Sequence, residues 1–154
     1  MQILKPKLRH LLALFCLAAS SVMAQESVIG FVKTVDANAS VVTAGQAVAA
    51  QPGMALHLGQ VLKTGKPGSM GILLRDNTSL SIGPNTEIVL DEYLYEPGEG
   101  KLKLTLGFVK GSLQYVSGII AKLKPEAVGI KTPTGMIGVR GTQFLAKVEP
   151  ESKE

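Results

Sequence analysis

Cysteine is almost missing from this chain of 154 residues: Cys16 stands alone, tryptophan is absent, histidine occurs twice, and aromatic residues make up 5%. Each scarcity removes a class of chemistry. A single cysteine has no disulfide partner and cannot supply the thiolate set of a metal site. His57 is the only histidine beyond residue 24, so a histidine-built zinc site or a Ser-His-Asp triad would have to run through it. Its setting, Leu56-His57-Leu58-Gly59, is apolar and next to a turn, which suits a boundary residue better than a base. Without tryptophan, nothing implies the aromatic-lined cleft across which paired carboxylates hydrolyse glycosides. The sequence therefore predicts no catalytic residue, no metal and no cofactor.

Long apolar runs are scarce as well. The longest near the N-terminus, Leu11 to Ala19, is far short of the roughly 20 residues a spanning helix needs. It lies between a basic start (Lys5, Lys7, Arg9) and the small-residue site Val22-Met23-Ala24, the three parts of a secretory signal. Residues 1–24 are expected to be removed by cleavage after Ala24, leaving 130 residues outside the cytoplasm, periplasmic or secreted. Phe15 before Cys16 is unlike the small residue that lipoprotein processing requires. Three of the 16 basic residues lie in this segment and none of the 12 acidic ones, so 13 cations face 12 carboxylates and the net charge is +1. The basic balance of the whole chain thus gives no support for nucleic-acid binding.

No window beyond residue 24 keeps apolar residues at i, i+3, i+4 and i+7 over three turns, and glycine or proline interrupts nearly every stretch of eight to twelve residues. This is the rhythm of an all-β domain, a single β-sandwich or β-roll of short strands with Gly/Pro-rich turns, spanning residues 25–148 before a flexible tail at 149–154. Short strands are predicted at Val28–Val35, Ser40–Ala44, Ala47–Ala50, Val61–Thr64, Ser69–Leu74, Ser79–Ile82, Glu87–Tyr95, Lys101–Leu106, Phe108–Lys110, Leu113–Val116, Val128–Thr132 and Thr142–Val148. Gly65-Lys66-Pro67-Gly68 reads as a break between two of them. Lys101 to Leu106 alternates most cleanly, with Leu102, Leu104 and Leu106 inward and Lys101, Lys103 and Thr105 wet. Ile119 to Lys124 suits either a strand or one helical turn.

The segment Lys131-Thr-Pro-Thr-Gly-Met-Ile-Gly-Val-Arg-Gly-Thr-Gln-Phe144 places glycine at 135, 138 and 141 among β-formers. It lacks the GxxxxGK[ST] of a phosphate loop, and Ile137, Val139, Thr142 and Phe144 favour extended chain over the helix that such loops precede. It resembles the closing stretch TP-x-G/A-x-x-GVRGT-x-F of the FecR domain family, periplasmic all-β modules of iron-responsive transmembrane regulators. The likeness extends upstream. Leu74-Arg75-Asp76-Asn77-Thr78-Ser79-Leu80, Pro84-Asn85-Thr86 and Glu92-Tyr93-Leu94-Tyr95 are similar to the family's L-x-DGT-x-L, PN-S/T and E-Y-x-Y/F patterns, with Asn77 in place of glycine. In those regulators the module follows a cytoplasmic helical part and a membrane span, and residues 1–24 are too short for both. The resemblance thus implies a stand-alone, non-enzymatic module that binds another envelope protein in sensing, regulation or export. The alternatives are a module for a surface glycan or other envelope ligand and, more remotely, a hydrolase using acidic residues.

Candidate residues follow from the two motifs. Thr132, Pro133, Gly135, Gly138, Val139, Arg140, Gly141 and Thr142 form a binding or structural motif: Arg140 either pairs with a carboxylate, for which Asp76 and Asp91 are at hand, or presents its guanidinium to an anionic partner. Asp76, Asn77 and Thr78 suit a turn held by side-chain hydrogen bonds to its own backbone. Asp91, Glu92, Glu96 and Glu99 lack calcium-loop spacing and read as a solvated acidic face. Tyr93 and Tyr95, two apart on one strand, suit a packed sheet surface, with Phe108 and Tyr115 as further aromatics.

Overall fold

The computed structural model describes residues 26–150, so the cleavage site and the last four residues of the tail lie outside the described part. The fold is all-β. Among the described residues ten strands run in chain order: β1 (Gly30–Thr43), β2 (Gln46–Ala49), β3 (Ala55–Leu56), β4 (Val61–Leu74), β5 (Ser79–Ile82), β6 (Glu87–Glu96), β7 (Lys101–Val116), β8 (Val128–Thr132), β9 (Gly135–Gly138) and β10 (Gln143–Val148). Among the described residues one short α-helix, α1 (Ile119–Leu123), follows β7 and settles the Ile119–Lys124 ambiguity as a helical turn.

Strand length departs from the sequence reading. β1, β4 and β7 run for 14, 14 and 16 residues, straight through positions expected to break them. Glycine marks a bend at these places because another segment of the same chain passes there. A Cβ at Gly68 would run into the Asn38 carbonyl oxygen on β1, and one at Gly65 would lie 3.0 Å from the Asn38 Cβ. Gly111, at φ +100°, lets β7 turn directly against Thr86.

These bends close the sheet on itself. The first part of β4 (Val61–Lys63) pairs with β6, and its last part (Met70–Leu73) pairs with β5. β7 repeats this, pairing with β6 over Lys101–Lys110 and with β5 over Leu113–Val116. The circuit β4–β5–β7–β6 is a small barrel, and closure removes the strand edges where these elements pair on both sides, leaving residues 91–96 of β6 paired with β7 alone among the described strands. β1 lies along the outer edge of β4, with β2 and β3 attached to it. On the other side β7 carries β8 in parallel, continued by the β8–β9 hairpin, and further along it carries β10 antiparallel.

The core is drawn from alternate positions of these strands. Leu62, Ile72, Leu80, Ile88, Leu90, Leu104, Leu106, Phe108, Leu113, Tyr115 and Ile130 are all at most 1% exposed. Each such side chain contributes about 1.5–3 kcal/mol by leaving water. The predicted alternation in β7 fails at one residue: Thr105 is buried, and its hydroxyl donates to Glu92 Oε2 at 2.6 Å. A register shift between Leu90 and Glu92 on β6 faces this point, breaking the regular alternation between the two strands.

Candidate functional site, an arginine-rimmed groove beside a buried acid turn

The β4–β5 turn is built around a carboxylate that water does not reach. Asp76 is fully buried; its Oδ1 accepts from the Thr78 amide at 3.2 Å and from the Tyr93 hydroxyl at 3.3 Å. Its Oδ2 accepts from the Thr78 hydroxyl at 2.7 Å and from the Ile120 amide of α1 at 3.2 Å. The Asp76 amide donates back to the Tyr93 oxygen at 2.8 Å, and its carbonyl accepts from the Ile119 amide at 2.7 Å. Asn77, at φ +65°, takes the left-handed corner that glycine would otherwise fill. Burial, reinforced by the neighbouring Asp76 carboxylate, pushes the Tyr93 phenol far above its ordinary range, so it stays a neutral donor. Gly118 completes the node, since a Cβ there would stand 2.6 Å from Asp76 Oδ2 and against the Thr78 amide. Every polar atom of the Asp76 carboxylate is thus spent on joining β4, β6 and α1.

Arg140 belongs to a different place. The sequence offered Asp76 and Asp91 as its partners, and neither meets it: Asp76 is enclosed by the donors just named, while Asp91 Oδ2 lies 3.7 Å from Lys131 Nζ. Arg140 is exposed and has no carboxylate at ion-pair distance among the described residues. It follows β9 and rims an open groove of about 660 Å³ whose walls include Pro125, Glu126, Val128, Met136 and Val139. Met136 is 64% exposed, a large apolar side chain at the mouth.

The rest of the closing motif divides between hairpin and loop. Thr132 and Gly135 pair across the Pro133-Thr134 turn, and the Thr132 hydroxyl donates to the Gly135 carbonyl at 3.0 Å. Val139 is buried, anchoring the chain just before Arg140. Ser117 ties down the far side, its hydroxyl donating to the Gly141 carbonyl at 2.6 Å and its amide to the Thr142 carbonyl at 2.8 Å. Gly141 holds φ +130°, whereas Gly135 and Gly138 have no positive φ and nothing within 4 Å of a Cβ position. Gly141→Val is expected to destabilise by about 1–3 kcal/mol through backbone strain. Gly138→Val should stay within about 0.5 kcal/mol. Urea titration of both variants checks the contrast.

The remaining candidates lie elsewhere. Glu92, Glu96 and Glu99 each have a lysine within 4.0 Å (Lys103 for the first, Lys101 for the other two), forming a wet ladder across β6 and β7. The Thr105 hydrogen bond, more than the lysines, holds the exposed Glu92 carboxyl below its usual range. His57 is half-buried in the β3–β4 connection, where its amide donates to Gln60 Oε1 at 2.9 Å. Phe108 and Tyr115 are core residues, Tyr115 stacking on Phe144 at 5.0 Å, while Tyr93 and Tyr95 pack half-buried against that core. The strands predicted from sequence omit β3 and β9: Ile137 favours extended chain, but the Gly-Met-Ile-Gly composition hides the strand that the pairing of Ile130 with Ile137 exposes.

A closed barrel flanked by outer strands, with one turn fixed by a buried carboxylate and one arginine left at a groove, defines a small all-β domain. The family model described as FecR protein matches residues 60–154, from the start of β4 through β10, and the chain belongs to that family. The comparisons with curated proteins and with solved structures returned no match.

Proposed function

We propose that this chain is an exported, non-enzymatic module of the cell envelope that grips another envelope protein through the groove beside β9. The observation that carries this reading is the state of Arg140. The buried turn consumes Asp76 and Thr78 in folding, but the arginine of the closing motif neither packs in the core nor pairs with a described carboxylate. A guanidinium held next to an exposed methionine and an apolar floor supplies both halves of a recognition surface, a directional charge and area to bury.

Arg140→Ala is accordingly expected to leave Tm unchanged and to abolish capture of the partner when the tagged protein is passed over envelope extract. A lowered Tm with capture retained would overturn this reading and return Arg140 to a structural role.

A further inference from the structure

Closure pairs both sides of β5 and of the start of β6, the free side of β6 from Asp91 to Glu96 belongs to a stretch carrying three carboxylates, and β8 is covered by β7 on one side and β9 on the other. β9 is the last strand of that path and pairs with β8 alone among the described strands. Exposed edges in monomeric proteins are commonly guarded by lysine, proline or a bulge, and the short edge of β9 carries none of these: Gly135, Met136, Ile137 and Gly138 have neither charge nor ring, and the two glycines stand in open space. β10, by contrast, carries Lys147 on its exposed face.

The charge around β9 is one-sided. From Ser117 to Thr142 the chain carries Lys122, Lys124, Lys131 and Arg140 against Glu126 alone. Lys131 is neutralised by Asp91, while Lys122, Lys124 and Arg140 have no carboxylate at ion-pair distance among the described residues.

Resting on the interaction reading above, we infer that the unguarded edge of β9 takes an added strand from the partner, an extended segment whose carboxylate meets Arg140 and whose apolar side chains lie on Met136 and the groove floor. Main-chain hydrogen bonds to the β9 edge supply affinity that any extended segment would share, and Arg140 selects an acidic one. Four residues of edge offer few such bonds, so the charge carries much of the discrimination.

The test uses the protein with a ten-residue peptide of alternating valine and threonine carrying glutamate at two positions, and the same peptide with lysine for glutamate. The expected result is binding of the glutamate peptide at least tenfold tighter than the lysine peptide. Hydrogen exchange should slow at backbone amides of Gly135–Gly138 and stay unchanged at the β2 edge, and Arg140→Glu should invert the preference. Equal affinity for the two peptides, no binding of either, or binding without slowed exchange in β9 would overturn strand addition. The two readings fail separately. Partner capture that depends on Arg140 while β9 amides stay unprotected leaves the groove as the interaction surface and removes only the added strand; capture indifferent to Arg140 removes both.

Discussion

Asp76→Ala is expected to lower the unfolding free energy by about 3–5 kcal/mol, read as a shifted urea midpoint with little change in slope. The carboxylate accepts from two amides and two hydroxyls belonging to Thr78, Tyr93 and Ile120. Alanine would leave the Thr78 and Ile120 amides buried without an acceptor, each costing about 1–3 kcal/mol, and would remove the side-chain link between the β4–β5 turn and α1, leaving the main-chain bond from the Ile119 amide to the Asp76 carbonyl. Asp76→Asn keeps the shape but must turn an NH₂ toward one of those two amide donors, because one amide points at each oxygen. It should therefore recover only part of the loss. An asparagine variant as stable as the parent would mean that the two amides do not both depend on this side chain.

Gly111→Ala is expected to cost about 2–4 kcal/mol, from two causes that reinforce each other. At φ +100° any Cβ strains the backbone, and here that Cβ would also collide with the main chain and side chain of Thr86. Thr86 cannot retreat freely. It is 1% exposed, its amide donates to the Thr64 hydroxyl at 2.9 Å, and its own hydroxyl receives the Ser112 amide at 3.0 Å. Thermal unfolding of Gly111→Ala beside Gly138→Ala checks this, since Gly138 has open space and ordinary backbone. A loss at 111 no larger than at 138 would show that β7 can bend there without glycine.

The fold class was legible because glycine and proline recur at strand spacing and no helical period competes with them. Strand continuity was not. Glycine at 65, 68 and 111 carries the same local signal whether the chain reverses there or merely bends, and what decides is a partner far away in sequence, Asn38 for the first two and Thr86 for the third. The acid turn could be read from Asp76-Asn77-Thr78 because an Asx turn is local; its burial could not, since Tyr93 and Ile120 arrive from 17 and 44 residues away. The ion pairing of Asp91 was out of reach for the same reason. Choosing between Lys131 and Arg140 as the partner of Asp91 requires the parallel register of β7 and β8, which no alternation pattern encodes.

The barrel β4–β5–β7–β6 is completed by one unbroken stretch of chain, Val61 to Val116. Neither the β1–β3 segment before it nor the β8–β10 segment after it is needed to close the circuit; each lies against a strand already fixed by closure. Such a ring can serve as a nucleus that forms from its own residues, with the two flanks docking afterwards as separate cooperative units. The segment bearing Arg140 meets that ring from outside it, along β7 through β8 and β10 and at the Asp76 turn through α1.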